Sequence, residues 1–167
     1  MGHRLGRDDR ISTHCGLVSR ALGADSVIYS GDKDSSMVDG VTKVAAQFGG
    51  DFLASYDEKW KKVITGHKKK KFTVVHMTAY GMPLQEKIQE IRKKTNLLVI
   101  VGSEKVPGEV YHLSDYNIAV ANQPHSEIAA LALFLHEYFD GKELDKDFND
   151  GKVRIVPQEH GKKVIED

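Results

Sequence analysis

The chain has few of the features that mark secreted, membrane-bound or metal-clustered proteins. A single cysteine, Cys15, occurs in 167 residues, so no internal disulfide can form and a reducing, cytoplasmic interior is expected. No run approaches the roughly 18 apolar residues of a membrane helix, and no apolar signal segment opens the chain, so no membrane role is expected. Charge of one sign is also lacking: 24 Lys+Arg stand against 24 Asp+Glu, for a net +0. Affinity for nucleic acid must then come from local clusters. No P-loop or GxGxxG pattern occurs, and the histidines lack metal-ligand spacing, so no metal is expected.

What is present concentrates between Asn96 and Gly141. Leu97 to Val101 is a short apolar run that ends at Gly102, and Asn117 to Ala121 is a second that ends at Asn122. Such runs, bounded by Gly and Pro, fit strands buried on both faces of a parallel sheet. Their following loops, Gly102 to Pro107 and Asn122 to Glu127, then lie at the carboxyl ends of the strands, where open α/β sheets bind ligands. Pro124 suits a first helical residue, with the amphipathic segment Ile128 to Phe139 behind it.

The rest of the chain alternates in the same way. After a charged opening, Ser12 or Thr13 is placed to cap a helix that carries Leu17, Val18, Ala21 and Leu22 and closes at Gly23. Strands are predicted at Ser26–Tyr29, Phe52–Ala54, Phe72–Met77 and Val153–Val156, with helices at Ser35–Phe48, Glu58–Ile64 and from Pro83 to Thr95. The run Lys68 to Lys71 reads as a solvated loop, and the residues after Val156 as a charged tail. Alternating strands and helices imply a parallel α/β sheet with helices on both faces, and the length suits a single domain, 1–167. Cys15 reads as a small buried residue of the first helix.

Several segments resemble the signature motifs of the archaeal tRNA (cytidine(56)-2′-O)-methyltransferases, of the SPOUT superfamily. These are Gly2-His3-Arg4 with Arg7-Asp8, Arg10 and Thr13-His14; Thr78-Ala79-Tyr80-Gly81; Val101 to Pro107; Asn122 to Ala132; and Gly161 to Val164. They cover nearly the whole chain in the family's order. The resemblance implies S-adenosylmethionine-dependent 2′-O-methylation of a T-loop cytidine in tRNA, by a homodimer with a deep trefoil knot over about 72–141 and a C-terminal segment over 142–167. A SPOUT enzyme with another RNA target and a non-catalytic RNA-binding module of the same fold are the alternatives.

Residue by residue, the resemblance places the cofactor against Met77, against Gly102, Ser103, Glu104, Lys105 and Val106, and against Val120, Ala121, Asn122, Gln123, Pro124, His125, Ser126 and Glu127. Met77 stands where relatives carry Leu, and Ala121 where they often carry Gly. An arginine near the first helix is implied as base, with Arg10 in that position, Arg7 on phosphate and His14 as the other base; both arginines equally fit simple backbone binding. His125 beside Ser126 is a hydrolase pair on paper, but no acid partner or oxyanion hole can be placed for it. The chain also opens directly at the Gly-His-Arg motif, where relatives place an apolar strand first. The strand is either absent or lost to start-site assignment, and the expected result is a lost sheet edge and lower stability.

Overall fold

In a computed structural model, which describes residues 1–102, 106–148 and 150–166, the first strand pair is β1 (Ser26–Tyr29) with β2 (Leu53–Tyr56), parallel. A second parallel sheet has the order β4-β3-β5, formed by β3 (Thr73–Pro83), β4 (Leu97–Ile100) and β5 (Tyr116–Ala119). A hairpin of β6 (Val153–Val156) and β7 (Lys163–Glu166) ends the chain. The helices are α1 (Asp9–Ala21), α2 (Ser35–Phe48), α3 (Trp60–Lys69), α4 (Leu84–Ile91), α5 (Gly108–Leu113) and α6 (Glu127–Phe139). No helix among the described residues is long and apolar enough to cross a membrane.

Successive β3 side chains alternate between two cores, as the pleat requires. Val75 and Met77 join Ile88 and Ile91 of α4 and Leu131 and Phe134 of α6 on one face. Val74 turns the other way, to Ile64 of α3, Ile100 and Val110 of α5. Helices therefore cover both faces of this sheet. Burying a Leu or Phe of this kind contributes about 1.5–3 kcal/mol, and truncating Phe134 costs about 3–5 kcal/mol.

Several boundaries depart from the sequence reading: β3 runs on to Pro83 and α4 stops at Ile91, short of Thr95. Helix α1 starts at Asp9, so Ser12 and Thr13 lie inside it. Two adjacent carboxylates, Asp8 and Asp9, complement the positive end of the helix, while the Ser12 hydroxyl is held by His3 Nδ1 at 2.9 Å. Helix α3 continues into the lysine run, because cations are favoured at a helix C-terminus; Lys68 also binds Asp115 at 2.8 Å. Lys163–Glu166 is a strand rather than part of a tail, since Val164 and Ile165 pair with Ile155 and Arg154.

Among the described residues the edges of β1 and β4 that do not face β2 and β3 have no strand partner, and Val27, Ile28, Leu98 and Ile100 line a cavity of about 470 Å³. The start of the chain closes one end of it. The Met1 ammonium donates to the Val101 carbonyl at 2.7 Å, His3 N to Ser30 O at 2.9 Å, and Asp32 N to His3 O at 2.8 Å.

Candidate active site at the strand ends

Strand β3 has β4 on one side and β5 on the other, so the chain reverses its direction of travel across the sheet at this point. Such a switch opens a crevice outside the carboxyl ends of the strands. Its floor is an irregularity in β3: Met77 and Met82 both pair with Ile118, which leaves Thr78, Ala79, Tyr80 and Gly81 out of the ladder. A Cβ on Gly81 would sit 2.5 Å from the Asn117 carbonyl carbon and the Ile118 nitrogen, so only glycine admits this close approach. Asn122, in the loop after β5, donates from Nδ2 to the carbonyls of Ala79 at 2.8 Å and Gly81 at 3.0 Å. The loops after β3 and β5 are thereby fastened together.

The loop after β4 forms the other wall. A Cβ on Gly102 would fall 2.0 Å from Val106 Cγ2, so the half-buried valine occupies the space that any other residue there would need. Ser103, Glu104 and Lys105 lie outside the described residues. Across the crevice Val120 is half-buried and Ala121 to Ser126 are exposed, a shelf that leads to α6. Ser126, not Pro124, starts this helix: its hydroxyl accepts from Ile128 N at 3.2 Å, and Pro124 stays two residues outside. Glu127 is the first helical residue and half-buried. Met77 is only 6% exposed and packs in the core beneath the bulge. His125 Nδ1 lies 3.2 Å from the Ser126 carbonyl, not its hydroxyl, so the two do not form a nucleophile pair.

The N-terminal motif borders the same end of the sheet through the Met1–Val101 contact. Within it Asp8 is buried, and the Arg4 Nε that donates to it at 2.9 Å holds its carboxyl below the usual carboxylate range. Arg7 Nε lies 3.8 Å from Asp8, and the Arg7 side chain is exposed. Arg10 and His14 are both exposed on α1 and four residues apart, so they share a helix face. Arg20 is structural: it is buried, donates to the Gly49 carbonyl at 2.6 Å and lies 4.5 Å over the Phe148 ring. Burial pushes the Cys15 thiol up to about 11, which suits packing and not nucleophilic attack.

One group under the site has no counterpart in the sequence reading. His76, fully buried in β3, hydrogen-bonds Asn117 Oδ1 through Nδ1 at 2.9 Å and meets the Tyr111 ring edge-on at 4.7 Å. Tyr111 OH in turn lies 3.1 Å from Thr78 Oγ1, at the start of the bulge. A histidine inside an apolar strand was the available signal.

Comparison with known proteins agrees with this geometry. The family described as "tRNA ribose 2′-O-methyltransferase, aTrm56" matches residues 48–165. The tRNA (cytidine(56)-2′-O)-methyltransferase of Methanocorpusculum labreanum is 50% identical over 165 residues, 99% of this chain and 89% of that protein. Its namesake in Methanocaldococcus jannaschii is 50% identical over 168 residues, covering 99% and 93%. Among solved structures, the SpoU methyltransferase AviRb of Streptomyces viridochromogenes, in complex with AdoMet, aligns with TM-score 0.60 at 13% identity over 80% of this chain, which spans about half (53%) of that protein. The A. aeolicus TrmH/SpoU tRNA modifying enzyme aligns with TM-score 0.58 at 14% identity, covering 85% and 73%. With relatives at half identity along almost its entire length, and a family match over more than two thirds of it, this chain belongs to the archaeal tRNA (cytidine(56)-2′-O)-methyltransferases.

Proposed function

We propose that this chain methylates the ribose 2′-hydroxyl of cytidine 56 in the tRNA T-loop, with S-adenosyl-L-methionine as donor. The observation that carries the reading is the topological switch at β3, which lies between β4 and β5 and whose bulge Asn122 ties to the loop after β5. Its make-up fits an adenosyl group: two close backbone approaches that exclude side chains, at Gly81 and Gly102, and half-buried Val106 and Val120 to flank a flat ring. When bound, the cofactor supplies a methyl carbon activated by a sulfonium. The residues that would hold it are Gly102 to Val106 on one side and Val120 to Glu127 on the other, with Met77 supporting from below.

The protein's own work is then alignment and proton handling. Arg7 and Arg10 hold the phosphates beside the reacting ribose, and Arg10 is the first reading for the group that takes the hydroxyl proton. His14 is the second, exposed on the same face of α1 one turn along, an imidazole being the commonest general base in proteins. The whole chain acts as one domain in this reading, with its knot over about 72–141. It works as a homodimer, for which exposed Leu5 and Ile11 on the motif and Tyr80 and Met82 on the bulge supply apolar contact surface.

The deciding experiment incubates the purified protein with an unmodified tRNA transcript and methyl-labelled cofactor, then maps the product. The expected result is 2′-O-methylcytidine at position 56; label at another nucleotide, or no transfer by folded protein that binds the cofactor, overturns the reading. His14→Ala and Arg10→Ala separate the two bases: the variant that loses single-turnover methyl transfer while it still binds cofactor and tRNA names the base.

A further inference from the structure

Away from the crevice, His3, Asp9 and Asp34 each direct one ligand atom toward a common point, and these atoms lie within 4.8 Å of one another. His3 Nε2 is 3.8 Å from Asp9 Oδ1 and 3.8 Å from Asp34 Oδ2. The histidine is 3% exposed, and its Nε2 has no hydrogen-bond partner. A buried ring nitrogen aimed between two carboxylates, yet too far from either for a hydrogen bond, is left unsatisfied.

We propose that His3 Nε2, Asp9 Oδ1 and Asp34 Oδ2 bind a first-row divalent cation of the Mn²⁺ to Zn²⁺ class. One imidazole nitrogen and two carboxylate oxygens suit these ions better than Mg²⁺ or Ca²⁺, which prefer all-oxygen sets. With bonds of about 2.1 Å, ligands in tetrahedral array stand about 3.4 Å apart, so the two 3.8 Å spacings to His3 contract slightly and the carboxylate pair, within 4.8 Å, closes by at most about 1.4 Å. Each ligand is held from behind. His3 Nδ1 lies 2.9 Å from Ser12 Oγ, which fixes the ring with Nε2 free to ligate. Its backbone is tied to Ser30 and Asp32. Asp9 Oδ1 accepts from Gly6 N at 3.0 Å. Asp34 uses Oδ1 to cap α2 through Met37 N at 3.2 Å and to accept from Ser36 Oγ at 2.6 Å, which turns Oδ2 toward His3.

The three ligands come from the start of the chain, the first turn of α1 and the N-cap of α2. A cation there staples both ends of the loop that carries Arg7 and sets the first turn of α1, which carries Arg10. The site is thus a structural clamp on the basic loop.

The test strips the full chain with EDTA and titrates it with MnCl₂ and with ZnCl₂ by calorimetry and thermal melting. Asp34→Asn keeps a capping side chain and so the fold, and His3→Gln removes the nitrogen ligand. Expected are one ion per chain, a higher melting temperature with the ion, and affinity at least about tenfold weaker in both variants. Mn²⁺ should also broaden the His3 ring resonances in NMR spectra selectively. No binding to the native chain, binding that both variants keep unchanged, or broadening centred on another histidine overturns the proposal.

Discussion

Asn122 bridges to Ala79 across the end of the sheet, its Nδ2 donating to that carbonyl at 2.8 Å, with the Gly81 carbonyl a second acceptor at 3.0 Å. The amide is consumed in joining two loops, so its contribution to cofactor binding is one of positioning. Asn122→Ala is expected to cost about 1 kcal/mol of stability or less, because the bonds are exposed. Affinity for S-adenosylmethionine should fall more steeply, by about tenfold as the shelf drifts from the bulge. Calorimetry and thermal unfolding on the same preparation separate the two effects.

Gly102 and Val106 form a complementary pair. Gly102→Ala puts a methyl group where Val106 Cγ2 sits, 2.0 Å away, and the loop must move outward. Cofactor affinity should drop by tenfold or more, and Val106→Ala in the same chain should restore part of it by vacating the space. A double-mutant cycle on the cofactor Kd reads this coupling, and strictly additive losses would show that the two side chains do not meet.

His76 gives the fold an acid sensitivity. Burial lowers its pKa below the ordinary histidine value. Below about pH 6.5 the unfolded chain therefore binds a proton that the native state refuses, so stability must fall as pH drops through that region and level off above it. Asn117 Nδ2 donates to the Tyr111 carbonyl at 3.0 Å, which leaves its Oδ1 to accept from His76 Nδ1–H and defines the neutral tautomer. His76→Gln should flatten the stability profile between pH 5 and pH 7, about one protonation's worth, as followed by denaturant melts at each pH.

Arg20 and Arg10 should fail in opposite ways. Arg20→Ala removes a charged donor from the Gly49 carbonyl and a cation from the Phe148 face, at about 2–3 kcal/mol, with little effect on kcat at a permissive temperature. Arg10→Ala truncates an exposed side chain and should leave the melting temperature within about 1 °C while reducing kcat/KM at least a hundredfold. Melting curves beside single-turnover rates make the comparison.

The sheet was legible because its strands are short, apolar and bounded by Gly or Pro: β1, α2, β4 and β6 match their predicted bounds to within a residue. Helix starts were less so. Ser12 and Thr13 have good capping chemistry, yet the pair Asp8-Asp9 and the demand of His3 on Ser12 moved the start of α1 upstream. The same holds at α6, where a proline suggested the start and a serine two residues later provides it. At the site, the loops were recognisable from their motifs, but the cross-tie from Asn122 to Ala79 and Gly81 depends on a register slip in β3 that no periodicity encodes. The His3, Asp9 and Asp34 cluster was invisible for a related reason: its ligands are 6 and 25 residues apart and meet only because the chain start bridges to Gly31.

The gap between β1 and β4 divides the molecule's resistance to local opening. No backbone ladder crosses it, so the part that carries the arginine motif is joined to the part that carries the crevice mainly by the packing of α1 on α6. Hydrogen exchange should resolve two cooperative units: amides of β3 slow, and those of β1 faster by the difference in opening free energy.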